Sequence, residues 1–172
     1  SSVTKGETLV DTGITLQAMA PDIIVMRHPD SGAPHLLSRV LRDVAIVNAG
    51  DGLHEHPTQA LLDALTIKQA FGRLTGITMV LVGDVLRSRV ARSNIILQQL
   101  LGNTVRVVGP PTLAVPQFSQ LGVEVHYDLA RALEGADVVM SLRMKQEYLA
   151  ESFVPSTTEY ARRFCIKEQL LA

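Results

Sequence analysis

Short apolar runs alternate with stretches of helical periodicity along this chain. The runs 22–26, 44–49, 78–84, 105–110, 123–127 and 137–142 are rich in Val, Ile and Met and read as buried strands. Between and around them, apolar residues recur every three or four positions. That spacing predicts helices over 7–19, 34–41, 57–71, 89–101, 129–134 and 157–172. The third helix is the best marked, with Pro57 suited to a first turn and Gly72 to the position just past an end. Ala60, Leu61, Ala64, Leu65 and Phe71 form its expected apolar stripe. Strand and helix in strict alternation give an α/β fold with parallel sheets and right-handed crossovers.

The segment Gly72–Gly76 holds two glycines and no apolar period, and it divides the pattern. Residues 1–72 are expected to form one subdomain with its linker helix. Residues 73–172 are expected to form a second one, with a doubly wound, Rossmann-like sheet. Two strands are few for a self-standing sheet, so further chain is expected before Ser1. The absence of an initiator Met agrees with that expectation.

Composition narrows the chemistry. With 47% hydrophobic and 19% charged residues among 172, the chain is globular in character, not a charged tail. A net charge of -1 provides no overall basic field for nucleic acid, so any anion site must be local. One cysteine, Cys165, excludes an internal disulfide framework and a thiolate zinc cluster, and fits a cytoplasmic protein. The apolar runs are shorter than the roughly 20 residues of a membrane span.

Candidate chemistry lies where strands end. Asn48–Asp63, "NAGDGLHEHPTQALLD", leaves a strand through a Gly-Asp-Gly turn and enters a helix at Pro57. The unpaired N–H groups of that helix face the end of the sheet where ligands of open α/β folds bind. His56 and Gln59 are the side chains there that can reach a ligand, and an imidazole can donate to a polarised carbonyl oxygen. The same His56, with Thr58, can equally serve as a helix cap. His54 and His56 without further ligands make no metal site, and no metal or cofactor is expected. Arg27 follows the first strand directly. Arg87, Arg89 and Arg92 crowd a helix start that disfavours cations unless an anion is bound there. Arg143 and Lys145 follow the last strand, while Ser1 and Lys5 stand near the chain start. Several cations with an imidazole, and no carboxylate pair, suit a small, multiply charged anion with phosphate as leaving group. The glycine fingerprint of dinucleotide binding and the nucleophile elbow of serine hydrolases are both missing.

The segments "SSVTKGETLVDT", "MRHPDSGAP", "NAGDGLHEHPTQALLD", "GDVLRSRVARSN", "GPPTL" and "ADVVMSLR" together resemble the aspartate carbamoyltransferase catalytic chains. The His-Pro-Thr-Gln element is shared with the ornithine enzymes, whereas "KGETLVDT" and "GDVLRSRVARS" resemble the aspartate enzymes. The resemblance implies two α/β subdomains, one for carbamoyl phosphate and one for L-aspartate. It implies a homotrimer, with regulatory or other pyrimidine-pathway chains as further partners. Arg27 and His56 would bind carbamoyl phosphate, His56 at the carbonyl oxygen, and Gln59 would hold the carbamoyl amide. Arg89, Arg143 and Lys145 would face aspartate. Ser1 and Lys5 would lie on a loop reaching a neighbouring chain's site, Ser1 toward carbamoyl phosphate and Lys5 toward aspartate, with Lys5, Arg27 and His56 as the catalytic residues. The family's Ser-Thr-Arg-Thr-Arg and His-Pro-Leu-Pro elements are absent, and Lys145 and Tyr148 stand where the family has Gln and Arg. The sequence therefore reads as the middle of such an enzyme, with little turnover expected of it alone. A non-catalytic anion-binding relative and an ornithine-type transferase are the alternatives.

Overall fold

The computed structural model describes residues 8–143, 156–167 and 170. Two parallel sheets carry the fold. The first pairs β1 (Ile23–His28) with β2 (Ala45–Asp51), in a register that shifts between Met26 and His28. The second has the order β5-β4-β3-β6, built from β3 (Thr78–Val82), β4 (Thr104–Val108), β5 (Glu124–His126) and β6 (Val138–Ser141). Its winding reverses between β3 and β6, and that reversal opens a crevice beyond their carboxyl ends.

The second sheet is covered on both faces, as its unbroken apolar strands demand. Met79 and Leu81 of β3 point into one cluster with Val85, Ala91, Ile95, Val105 and Val107. The alternate residues Val80 and Val82 point into another with Val108, Leu129, Ala132 and Phe164. Helix α4 (Arg89–Leu100) covers the first face. Helices α5 (Leu129–Leu133) and α6 (Thr157–Phe164) cover the second.

The first sheet differs from its expectation. β1 alternates between exposed and half-buried positions, with Ile23 57% and Val25 67% exposed. Helix α2 (Ala33–Val40) packs on this two-stranded sheet and α1 (Leu9–Gln17) packs on α2. The face carrying Ile23 and Val25 has no cover among the described residues, so a β-branched run here does not mean burial.

Helix α3 (Pro57–Phe71) matches its sequence signals at both ends. Pro57 is its first residue, and Gly72 closes it in the left-handed region at φ 69°. Its buried face keeps only the two alanines of the expected stripe. Ala60, Ala64 and Ile67 are buried, while Leu61, Leu65 and Phe71 are exposed. Helix α3 packs against α4, and Ala60 and Leu61 line a small pocket there with Ser93, Ile96 and Leu97 of α4. Helix α6 also ends earlier than periodicity suggested, at Phe164. Cys165 is extended (ψ 124°), and Ile166 and Leu170 pack against the core cluster that holds Phe164. A short 3₁₀ segment, Pro116–Leu121, follows β4 and carries no apolar periodicity that marks it in the sequence.

Candidate active site

A cleft of about 940 Å³ lies between the ends of the two sheets. Arg27, at the end of β1, borders it from the first sheet. Arg89, the first residue of α4, and Arg143, just after β6, border it from the second. Three guanidiniums from three chain segments thus face one hollow, as the strand-end argument expected. Arg92 is exposed and does not border it. Ser1, Lys5 and Lys145, like Tyr148, lie outside the described residues.

Arg89 is set by its surroundings. Its Nη1 donates to the Gly52 carbonyl at 3.1 Å. Its guanidinium lies against Gly50, where an added Cβ would come within 2.8 Å of Cζ. Gly50 also has φ +112°, so the backbone favours glycine there, and a Cβ would have to push the Arg89 side chain aside. Burial and the neighbouring Arg27 charge push the Arg89 pKa down, and Asp51 opposes them. Two like charges that border one cleft and feel each other favour a bound anion there.

Arg87 behaves differently. Its Nε donates to Asp84 Oδ2 at 3.0 Å, and its Nη2 lies 2.9 Å from the same oxygen. The Asp84 and Arg87 side chains are only 6% and 13% exposed, so this pair forms part of the cleft wall. A cation at a helix start need not await a ligand when an aspartate three residues back neutralises it.

His56 caps α3, and the cap determines its chemistry. Its Nδ1 accepts from the Gln59 backbone N–H at 3.3 Å, with the Thr58 hydroxyl also at 3.3 Å. An Nδ1 that accepts carries no proton, so the neutral ring bears its hydrogen on Nε2 and can donate there. Burial lowers the His56 pKa, as do the charges of Arg89 and Arg27, while Asp63 opposes them. The two sequence readings of His56, cap and ligand donor, are therefore compatible: one nitrogen caps and the other is available. Neither His56 nor Gln59 borders the cleft itself. Gln59 Nε2 donates instead to Asp63 Oδ1 at 2.9 Å.

Four residues missed at the sequence level support this arrangement. Asp51 is 1% exposed and accepts from Asn48 Nδ2 (2.8 Å) and from the backbone N–H groups of Gly32 (2.6 Å) and Glu55 (3.1 Å). His54 Nδ1 lies 3.0 Å from it. Burial alone would raise its pKa, but these hydrogen bonds outweigh burial and hold it at about 2. Asp51 thereby ties the start of α2 to the loop that leads into α3. Its signal was an acid between two glycines at a strand end. Ser93 Oγ accepts the His56 backbone N–H at 2.8 Å. Asn94 Nδ2 donates to Asp63 Oδ2 at 2.8 Å. Ser93 and Asn94 sit one turn into α4, and only the fold reveals that they meet α3. Among the described residues no group of three or more His, Cys, Asp or Glu could hold a metal ion. No described helix is long and apolar enough to cross a membrane.

Residues 1–69 match the family model "Aspartate/ornithine carbamoyltransferase, carbamoyl-P binding domain". Over 172 residues the chain is 58% identical to a protein named aspartate carbamoyltransferase catalytic subunit from Granulibacter bethesdensis, covering all of this chain and 54% of that one. It is 56% identical to the protein of the same name from Caulobacter vibrioides, covering 52% of that protein. Over its whole length the chain is similar to aspartate carbamoyltransferase catalytic subunits, and its first 69 residues match the carbamoyl-P binding domain of the aspartate/ornithine carbamoyltransferases. It spans about half the length of these curated relatives. Among solved structures of the family, aspartate transcarbamoylase from Trypanosoma cruzi in complex with carbamoyl phosphate superimposes at a TM-score of 0.82. That match has 32% identity and covers 99% of this chain and 57% of the other. The same enzyme in complex with carbamoyl phosphate and aspartate gives 0.72 at 37% identity, covering 84% and 52%. The two-sheet α/β architecture is thus the family's own.

Proposed function

We propose that the cleft accepts carbamoyl phosphate and L-aspartate and transfers the carbamoyl group to the aspartate amine, giving N-carbamoyl-L-aspartate and phosphate. The observation that carries this reading is the convergence of Arg27, Arg89 and Arg143 on one hollow, with the Nε2 of His56 available as a donor nearby. In this scheme Arg27 binds the phosphate. His56 Nε2–H donates to the carbamoyl oxygen, and Gln59 holds the carbamoyl amide. Arg89 and Arg143 grip the two carboxylates of aspartate. The amine nitrogen attacks the carbamoyl carbon, and the C–O bond to phosphate breaks as the C–N bond is completed. The amine proton leaves with the phosphate. No covalent enzyme intermediate is required, so the contribution of the residues is positioning and stabilisation of charge on the carbonyl oxygen.

Lys145 is assigned to aspartate within the same proposal. Ser1 and Lys5 are assigned to a loop that reaches a neighbouring subunit's site in a homotrimer. The division at Gly72–Gly76, with carbamoyl phosphate held before it and aspartate after it, belongs to the same reading. So does a cytoplasmic location, supported by the single free cysteine, Cys165.

Calorimetric titration with N-(phosphonacetyl)-L-aspartate tests the proposal, because this molecule joins a phosphonate to a dicarboxylate. Binding is expected to weaken at least about tenfold in Arg27→Ala and in Arg89→Ala, since each removes a charge-assisted contact. Binding that ignores both substitutions refutes it.

A further inference from the structure

The Gln59 amide is held by a carboxylate that the scheme above does not use. Gln59 and Asp63 lie one turn apart on α3, and Gln59 Nε2 donates to Asp63 Oδ1 at 2.9 Å. The other carboxylate oxygen, Oδ2, accepts from Asn94 Nδ2 at 2.8 Å, across from α4. Asn94 is fully buried, and its Nδ2 also meets the Val90 carbonyl at 3.2 Å. Two acceptors at that end of the amide dictate that nitrogen, not oxygen, lies there. Its Oδ1 is buried without a hydrogen-bond partner among the described residues. An unsatisfied buried acceptor is unfavourable, so this orientation serves Asp63 and not the asparagine itself.

The consequence for Gln59 is one of polarity. A carboxylate accepts and does not donate, so it can engage only the Nε2 end of the glutamine amide. The Oε1 end, an acceptor, is the one turned away from Asp63. A carbamoyl group ends in NH₂, with hydrogens to give, whereas the acetyl group of the same shape ends in CH₃. We propose that Asp63, held in turn by Asn94, is a positioning residue that keeps Gln59 oxygen-outward and so selects acyl phosphates bearing an NH₂ group over those bearing a methyl group. This inference rests on the reading of the cleft as a carbamoyl phosphate site.

The test compares the affinities of freshly dissolved carbamoyl phosphate, acetyl phosphate and inorganic phosphate, measured by calorimetry on the whole chain. Asp63→Asn keeps the shape but offers Gln59 a donor as readily as an acceptor, so the amide can turn over. The preference for carbamoyl over acetyl phosphate is expected to fall about tenfold, with phosphate affinity unchanged, as one hydrogen bond of ordinary net strength is lost. A merely structural role would weaken all three ligands together and leave the preference intact. That result overturns the inference while the carbamoyl phosphate reading stands. An unmodified chain that binds carbamoyl phosphate no better than acetyl phosphate overturns both. Should Asp63→Asn fail to fold, Asn94→Leu releases the carboxylate from its second partner. A smaller fall in the same preference is then expected, and an unchanged preference in that folded variant overturns the inference.

Discussion

At the scale of single residues, the site depends on groups that leave room as much as on groups that bind. Gly50 combines a φ of +112° with the Arg89 guanidinium where a Cβ would stand. Gly50→Ala is therefore expected to cost roughly 1–3 kcal/mol from backbone strain and crowding, and to displace Arg89. Urea unfolding reports the first effect. A fall in affinity for N-(phosphonacetyl)-L-aspartate greater than the fall in stability reports the second. Arg27, Arg89 and His56 were legible in sequence because cations and a histidine at strand ends are conspicuous. Asp51 and Asp63 were not, because a buried carboxylate looks like any surface acid until its backbone donors are known. Gln59 was legible as a polar group near the helix start. Its hydrogen bond to Asp63 was not, since the i,i+4 spacing permits that bond without compelling it.

At the scale of elements, the seam between α3 and α4 shows where pattern reading succeeds and fails. Pro57 and Gly72 act locally, so both ends of α3 could be read from the chain. Which face it buries depends on α4, and a leucine stripe on the sequence proved to be surface. The structure inverts the usual expectation for substitutions here. Ala64→Leu, at a position 7% exposed, is expected to destabilise by roughly 1–3 kcal/mol through overpacking. Leu61→Ala, at a position 61% exposed, is expected to change stability by no more than roughly 0.5 kcal/mol. Thermal midpoints of the two variants decide this, and the reverse order would refute the assigned seam. The strands of the second sheet were legible because burial on both faces leaves an unbroken apolar run. β1 carries the same kind of run without the burial, because covering a strand is a property of its neighbours.

For the whole molecule, the two sheets meet across a cleft whose walls carry charge of both signs, and acid should act on it through Asp51. Its pKa falls from 3.8 to about 2 on folding. A depressed carboxylate stabilises the fold above its unfolded pKa, and that stabilisation disappears as pH drops through the folded value. The contribution is about 2 kcal/mol at pH 5 and above, lost progressively between about pH 4 and pH 2. Urea unfolding of the unmodified chain and of Asp51→Asn at pH 5 and pH 2 measures it. The variant should show the shallower decline, and equal declines would count against the assigned role. The doubly wound order was legible from βαβ alternation alone, since handedness and short connections leave few topologies. The distance between the two sheets was not, because no local signal sets it.

The hydrogen bond from the His56 amide to the Ser93 hydroxyl joins the cap of one helix to a residue one turn into another, each belonging to a different sheet. Fraying of α4 at its beginning would take away that amide's acceptor and loosen the imidazole that closes α3. The aim of the imidazole thus depends on the integrity of a helix borne by the opposite sheet. Local melting on either side of the cleft would be felt as lost alignment on the other.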